Sequence, residues 1–195
     1  MNGSQSWQEI LESNQSQYLD ELIELLRIPS VSTDEASIDE VKRAAVWVAT
    51  RLRRAGMENV EILPTGVHSC VYGDWLNAPG KPTVLIYGHF DVQPPDPLDL
   101  WDSPPFEPVI KNGRIYARGA SDMKGNLLLS LIAAEALLKS KGSLPVNIKF
   151  LFEGQEEIGS RDLGAFVAAN RDRLVCDLYS VPMDFSGPKI KVPSS

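Results

Sequence analysis

The spacing of apolar residues along the chain predicts an alternation of helices and strands. Apolar residues recur at helical spacing over residues 7–27, which predicts an amphipathic helix that stops before Pro29. A second amphipathic helix is predicted over residues 38–55, with Gly56 as its C-terminal stop. The other predicted elements, in chain order, are strands at 57–63 and 69–73, a strand at 84–87, a hairpin over 109–118 that turns at Asn112-Gly113, a helix over 126–141, a strand at 146–152, a helix over 162–170 and a strand at 175–181.

The order of these elements predicts the fold class. The apolar run from Val84 to Tyr87 does not alternate, which is typical of a strand buried on both faces of a parallel sheet. Strands that alternate with helices predict an α/β fold, with a mostly parallel sheet, helices on both of its faces and an added antiparallel hairpin. The irregular segment 93–106 follows the Val84 strand, and a loop of this length inside a compact domain is usually functional.

The composition is that of an ordinary globular protein, since 43% of the 195 residues are hydrophobic and 23% are charged. The net charge of −7 disfavours nucleic acid as a partner. The N-terminus lacks the features of a secretory signal, and the longest apolar stretch, 127–138, is shorter than a membrane span. We therefore expect a cytoplasmic protein without a membrane partner, in which Cys70 and Cys176 are buried free thiols.

Histidine and acidic residues cluster at the ends of the predicted strands. His89 and Asp91 follow the Val84 strand, Asp122 lies in a glycine-flanked loop, and Glu156 and Glu157 follow the next buried strand. The three groups are separated by about one α/β unit each, so they can converge at the edge where open α/β sheets bind ligands.

The residue types in these groups are those that bind divalent metal ions. One imidazole and several carboxylates form a ligand set that zinc, manganese or cobalt accepts. Adjacent glutamates would repel each other in a core, unless one binds a metal ion and the other stays free as a base. A phosphate-binding loop and a serine hydrolase triad are disfavoured because the sequence lacks their motifs. His68 has no acidic neighbour at ligand spacing, so we assign it no role.

Three stretches around these groups carry a resemblance to a known family. They read GHFDVQP at residues 88–94, ARGASDMKGN at 117–126 and FLFEGQEEIGS at 150–160. In this order they resemble metallopeptidase family M20, especially its dipeptidase-like branch, from about Leu22 to Leu178. The resemblance implies a zinc-exopeptidase-like catalytic domain that hydrolyses the peptide bond of dipeptides or short peptides with a metal-activated water.

The resemblance also implies roles for the clustered residues. By similarity, His89 would bind one of two divalent ions, Asp122 would bridge both, and Glu157 would bind the other. Asp91 would orient His89, and Glu156 would act as the general base. The ions implied are two zinc ions, with manganese or cobalt as alternatives.

One residue next to this set departs from the dipeptidase-like branch. Met123 follows Asp122, where that branch usually has a second aspartate and the deacylase-like branch has methionine. An N-acyl amino acid deacylase is therefore an alternative function, with an N-acyl amino acid in place of a small peptide as substrate.

The C-terminal part of the sequence also differs from the family pattern. Family members continue through a lid or dimerisation domain, often form homodimers, and supply a final metal-binding histidine. We therefore expect residues 1–181 to be the N-terminal portion of a truncated catalytic domain and 182–195 to be an irregular tail without the lid. Asp184 is a candidate further metal ligand. A catalytically silent fragment of marginal stability, with an unpaired sheet edge, is a second alternative.

Overall fold

The structure, a computed structural model, describes residues 5–182 and has the predicted α/β architecture. Its helices and strands match the predicted elements in type and order, except at the N-terminus and at residues 171–174, where the structure has a short helix that was not predicted. The helices are α1 (Trp7–Ser13), α2 (Gln15–Leu26), α3 (Ile38–Arg54), α4 (Lys124–Lys141), α5 (Leu163–Ala169) and α6 (Arg171–Leu174). The strands are β1 (Glu58–Pro64), β2 (Ser69–Trp75), β3 (Thr83–His89), β4 (Val109–Lys111), β5 (Arg114–Tyr116), β6 (Asn147–Glu153) and β7 (Leu178–Ser180).

The central sheet has the strand order β1-β2-β6-β3-β7 within the described residues. β3 is parallel to both β6 and β7, whereas β2 is antiparallel to β1 and to β6. Four of these five strands therefore run in one direction and β2 alone is reversed, which confirms a mostly parallel sheet. β4 and β5 form the predicted separate hairpin, in which Asn112 and Gly113 both have positive φ, as the tight turn requires.

Helices cover both faces of the sheet, as predicted. On one face, α2, α3 and α4 enclose the larger core, in which Leu52 and Leu127 pack with Phe150 and Phe152 of β6. On the other face, the short helices α5 and α6 contribute Phe166 and Leu174, respectively, to a smaller core. None of the helices in residues 5–182 has the length and apolar character needed to cross a membrane.

The predicted single helix over residues 7–27 is wrong, because the structure divides it at Asn14. The backbone N–H and the side-chain amide of Asn14 both donate to the carbonyl of Ile10, at 3.2 and 2.7 Å. These bonds satisfy a carbonyl at the C-terminus of α1, and α2 begins at the next residue, Gln15. Apolar periodicity continues across the break, so it does not mark the boundary.

The prediction that Val84 to Tyr87 are buried on both faces is also wrong, because these residues are only half-buried. The neighbouring strand β7 is short and pairs with β3 only through Val84–Ile86. Leu178 and Tyr179 of β7 are 63% and 76% exposed. Cys176, which precedes this strand, is half-buried and not fully buried as predicted, whereas Cys70 is buried in the sheet.

A buried ion cluster joins the three large helices. Arg51 of α3 donates through Nε to Glu21 of α2 at 2.6 Å and pairs through its guanidinium with Glu135 of α4. Arg54 and Lys139 pair with the same two carboxylates from the solvent side, each at 2.6 Å. We call these five residues the helix ion cluster.

Candidate metal centre

The candidate site lies at the carboxyl ends of β3 and β6, next to the N-terminus of α4. The two strands are in parallel register, so the last residue of β3, His89, lies opposite the last residue of β6, Glu153. The backbone N–H of Phe90 continues the ladder to the carbonyl of Glu153 at 2.9 Å. The sheet therefore delivers the chain segments that follow each strand to one edge, where ligands bind in open α/β sheets.

His89 is buried and has both ring nitrogens in contact with acidic residues. Its side chain is 1% exposed. Nδ1 lies 3.1 Å from the backbone carbonyl of Asp91 and 3.4 Å from its Oδ1, so this nitrogen is placed to donate its proton there. A proton on Nδ1 leaves the lone pair of Nε2 directed at the opposite side of the ring, where a metal ligand needs it.

Asp91 connects His89 to the glutamate pair. Its carboxylate is fully buried and accepts the backbone N–H groups of Glu156 and Glu157 at 3.3 and 3.0 Å. These bonds fix the single 3₁₀ turn Glu156–Ile158 that follows β6. One carboxylate thus sets both the imidazole orientation and the position of the two glutamates.

Three carboxylates surround the free side of the imidazole. Nε2 of His89 lies 3.1 Å from Oδ1 of Asp122 and 3.8 Å from Oε2 of Glu156. Donor atoms of His89, Glu156 and Glu157 all lie within 4.8 Å of one another. Asp122 stands outside that trio but contacts the same imidazole nitrogen, and its side chain is 66% exposed.

The structure therefore brings together five of the six residues that the sequence suggested for the site. His89, Asp91, Asp122, Glu156 and Glu157 share one edge of the sheet, as expected from their places after strands and loops. The sixth candidate, Asp184, lies outside the described residues.

Gln93 is a site residue to which sequence reasoning gave no role. Its side-chain amide donates to Oε2 of Glu157 at 2.7 Å and to the backbone carbonyl of Glu157 at 3.3 Å. Its place two residues after Asp91, inside the GHFDVQP stretch, was a usable signal, because the chain there still runs along the same sheet edge.

Glu153 is a second residue that was missed, and it lies directly behind the site. It is fully buried, and its Oε1 accepts hydrogen bonds from the hydroxyls of Tyr87 and Ser160, the latter at 2.8 Å. Burial raises the pKa of the Glu153 carboxyl, and burial together with this contact raises the pKa of Tyr87. A polar residue at the end of an apolar strand was the available signal.

The electrostatic balance of the site is strongly negative. Asp91, Asp122, Glu156 and Glu157 are four carboxylates, and His89 is the one basic side chain within 4 Å of them among the described residues. Burial lowers the pKa of His89, but the hydrogen bond and charge of Asp91, with the charge of Glu156, outweigh it and raise the pKa to about 9. Burial raises the pKa of Glu157. Without a cation, the site thus holds protons that it would not hold in water.

This donor set fits a divalent metal ion. An imidazole nitrogen and carboxylate oxygens are ligands of zinc, manganese and cobalt, and the second N–H of the imidazole is held by a carboxylate, as is usual for a metal-binding histidine. A bound cation would also balance the excess negative charge.

Glycines allow the loop that carries Asp122 to approach β3 and α4 closely. Gly119 has φ of +83°, which disfavours other residues, and a Cβ at Gly125 would overlap the carbonyl oxygen of Ala120. On the sheet side, a Cβ at Gly88 would lie 2.9 Å from the methyl carbon of Met123. The buried Met123 side chain therefore packs directly over the residue that precedes His89.

The fold and the site together define the class of protein. It is an α/β protein with a candidate divalent-metal centre, formed by an imidazole and carboxylates at the ends of parallel strands. Residues 85–186, about half of the chain, match the family described as Peptidase family M20/M25/M40, and the chain belongs to this family. The predicted resemblance is thereby confirmed.

Individual relatives differ in the activity that their names describe. The chain is 34% identical over 176 residues to the Cys-Gly metallodipeptidase of Schizosaccharomyces pombe, covering 85% of this chain and 37% of the relative. It is 36% identical over 143 residues to a succinyl-diaminopimelate desuccinylase of Xylella fastidiosa, covering 73% and 35%. The structure matches the M20 family metallo-carboxypeptidase of Sulfolobus solfataricus with a TM-score of 0.78 and 41% identity, covering 85% and 37%. The chain thus spans little more than a third of the length of the proteins it matches.

Proposed function

We propose that this chain forms the metal-binding part of a hydrolase that cleaves the peptide bond of dipeptides or short peptides. The observation that carries the proposal is the convergence of Asp122 and Glu156 on Nε2 of His89, while Asp91 holds Nδ1 on the other side of the ring. The similarity to a Cys-Gly metallodipeptidase over 85% of the chain supports the substrate class.

In this proposal, the site residues would hold two divalent ions, with zinc preferred over manganese or cobalt. His89 would bind one ion, Glu157 the other, and Asp122 would contact both. When bound, the ions supply Lewis acidity, which lowers the pKa of water and polarises the scissile carbonyl. Asp91 would keep the proton on Nδ1 of His89, and Gln93 would orient the carboxylate of Glu157 through its 2.7 Å hydrogen bond.

Glu156 would be the general base. Its backbone N–H is fixed by Asp91, and its carboxylate is half-buried and lies beside the imidazole without a hydrogen-bond donor that would occupy it among the described residues. It would accept a proton from the attacking water and pass it to the amine that leaves when the peptide bond breaks.

A second candidate function is the hydrolysis of an N-acyl amino acid. Two observations favour it: Met123 follows Asp122, as in the deacylase-like branch, and the chain is 36% identical to a desuccinylase over 143 residues. The same carboxylates and imidazole would serve, because both reactions hydrolyse an amide bond.

The experiment compares cysteinyl-glycine with an N-succinyl amino acid as substrates for the purified 195-residue chain, with zinc, manganese or cobalt added. We expect metal-dependent release of glycine from the dipeptide, and a loss of about 10²–10⁴-fold in rate for Glu156→Gln. Release from the N-succinyl substrate alone would favour the deacylase. If neither substrate is hydrolysed above the rate of Glu156→Gln, the chain by itself is catalytically silent, and Asp184 does not complete a working site.

A further inference from the structure

Lys124 is a charged residue that is completely buried two positions after Asp122. Its ammonium donates to the backbone carbonyls of Leu25 at 3.2 Å and Ile28 at 2.6 Å. Both carbonyls lie at or just beyond the C-terminus of α2, where the helix leaves acceptors without partners and favours a cation. The N-terminal residue of α4 is thereby fixed to the end of α2.

The chain segment whose carbonyls accept the hydrogen bonds of Lys124 continues to Ser30. This residue is hydrogen-bonded to the segment that contains Asp91. The hydroxyl of Ser30 donates to the carbonyl of Phe90 at 2.6 Å, and the carbonyl of Ser30 accepts the backbone N–H of Val92 at 3.0 Å. Ser30 is fully buried. Asp91 is therefore held on each side by the turn after α2.

The aliphatic part of the Lys124 side chain is also closely packed. A Cβ at Gly119 would lie 2.8 Å from Cγ1 of Val92 and 3.2 Å from Cδ of Lys124. Such short distances show that the start of the Asp122 loop, the Lys124 stem and the Asp91 segment are in contact without space for a methyl group.

We propose that Lys124 is a positioning residue of the metal centre: through the turn at Ile28–Ser30, it fixes the distance between Asp122 and the His89–Asp91 segment. The inference rests on the proposed function, since the distance concerns two sets of metal ligands. Lys124 acts through backbone carbonyls and the chain that follows them, and it does not bind the metal itself.

Lys149 offers a matched control for a lysine with a structural role alone. It is also buried, and its ammonium also donates to two backbone carbonyls, those of Arg173 at 2.6 Å and Val175 at 2.8 Å. Those carbonyls belong to the α6 region on the other face of the sheet. Removal of either ammonium breaks the same kind of interaction. Only the acceptors of Lys124, however, belong to a chain segment that is hydrogen-bonded to the residues beside Asp91.

The test compares the full 195-residue chain with its Lys124→Met and Lys149→Met variants. Zinc affinity is measured by calorimetric titration, the geometry of the site by the visible spectrum of bound cobalt(II), and stability by thermal melting. We expect both variants to melt below the wild type. Lys124→Met alone should bind zinc at least about tenfold more weakly, the usual result when a group that orients a metal ligand is removed, and should alter the cobalt spectrum.

Two results would overturn the inference alone: zinc affinity of folded Lys124→Met equal to that of the wild type, or equal losses of affinity in the two lysine variants. A wild-type chain that binds no zinc would overturn the proposed function together with it. If Lys124→Met does not fold, Ser30→Ala takes its place, because it removes only the hydroxyl bond to Phe90. It should bind zinc more weakly than the wild type, and unchanged affinity would reject the inference.

Discussion

Two clusters of charged side chains in this protein both contain carboxylates and differ in what balances their negative charge. In the helix ion cluster, the carboxylates of Glu21 and Glu135 share three basic partners, of which Arg51 contacts both. In the candidate metal centre, four carboxylates have one imidazole among the described residues. In the first cluster basic side chains of the chain face every carboxylate, whereas in the second the carboxylates outnumber the basic side chains that face them within residues 5–182.

The difference indicates which cluster binds a ligand. Burial of an ionised carboxylate without a partner costs much free energy. A buried carboxylate therefore implies a counter-charge nearby. The helix ion cluster finds that charge on arginine and lysine, and its effect is to join α2, α3 and α4. At the metal centre, no arginine or lysine among residues 5–182 forms an ion pair with the carboxylates, which leaves carboxylate oxygens and Nε2 of His89 available for a metal ion.

The largest expected effect comes from the removal of Arg51, the buried cation of the helix ion cluster. Arg51→Met leaves Glu21 and Glu135 without their shared buried partner, and we expect it to lower the free energy of unfolding by about 3–5 kcal/mol. Urea denaturation measures the loss. Arg43→Met, which breaks an exposed pair with Glu40, is the control and should cost less than about 1 kcal/mol. Equal losses in the two variants would show that the helix ion cluster does not depend on its internal cation.

The metal-free centre should instead depend on a proton, which gives a pH effect of up to about 3 kcal/mol. The pKa of His89 is raised from 6.5 to about 9 in the fold. Because the folded state binds this proton more tightly, the contribution to stability is complete below pH 6.5 and is lost as the pH rises to about 9. Urea denaturation with a chelator present should therefore show falling stability over this range. A folded His89→Gln variant with the same slope would contradict the assignment to His89.

Much of the site could be predicted because it depends on strand ends. Parallel strands place the residues after them at one edge, so His89, Asp122 and Glu156 were expected to meet before any distance was known. The residues that were missed depend on individual side-chain contacts. Gln93 and Lys124 contact, respectively, a glutamate and two backbone carbonyls that are distant in sequence, and periodicity carries no information about such partners.

The errors in the predicted fold have a similar cause. Hydrophobic spacing showed which side of residues 7–27 faces the core, but the break at Asn14 is made by local hydrogen bonds that leave this spacing intact. The burial of Val84 to Tyr87 depends on how fully neighbouring strands cover β3, and this is a property of the sheet and not of the strand.

Zinc that binds at the metal centre should stabilise the folded protein by mass action. The helix ion cluster should take no part in this effect. At a free concentration of 100 times the dissociation constant, we expect the wild type to gain about 2.7 kcal/mol in free energy of unfolding. Asp122→Asn should lose most of this gain, while its metal-free stability changes little because the Asp122 side chain is 66% exposed. Thermal melting with and without zinc measures both quantities, and Asp99→Asn, at an exposed position in the 93–106 segment, is the control. Equal zinc stabilisation of the two variants would remove Asp122 from the ligand set.

The smallest effect tests whether Asp91 serves the metal centre or only the fold. Asp91→Asn keeps the size of the side chain but loses the charge that holds the Nδ1 proton of His89 and accepts the backbone N–H groups of Glu156 and Glu157. We expect zinc affinity to fall at least about tenfold, or about 1.4 kcal/mol, the lower end of what such outer partners contribute.

The matched variant for this last comparison is Asp74→Asn. Asp74 is also buried and also accepts two hydrogen bonds, from Tyr72 at 2.7 Å and Asn59 at 2.9 Å, but these partners lie on β1 and β2, away from the metal centre. Calorimetric titration should therefore give wild-type zinc affinity for Asp74→Asn. If Asp91→Asn also binds zinc like the wild type, the buried aspartate is a structural group like Asp74 and does not serve the metal centre.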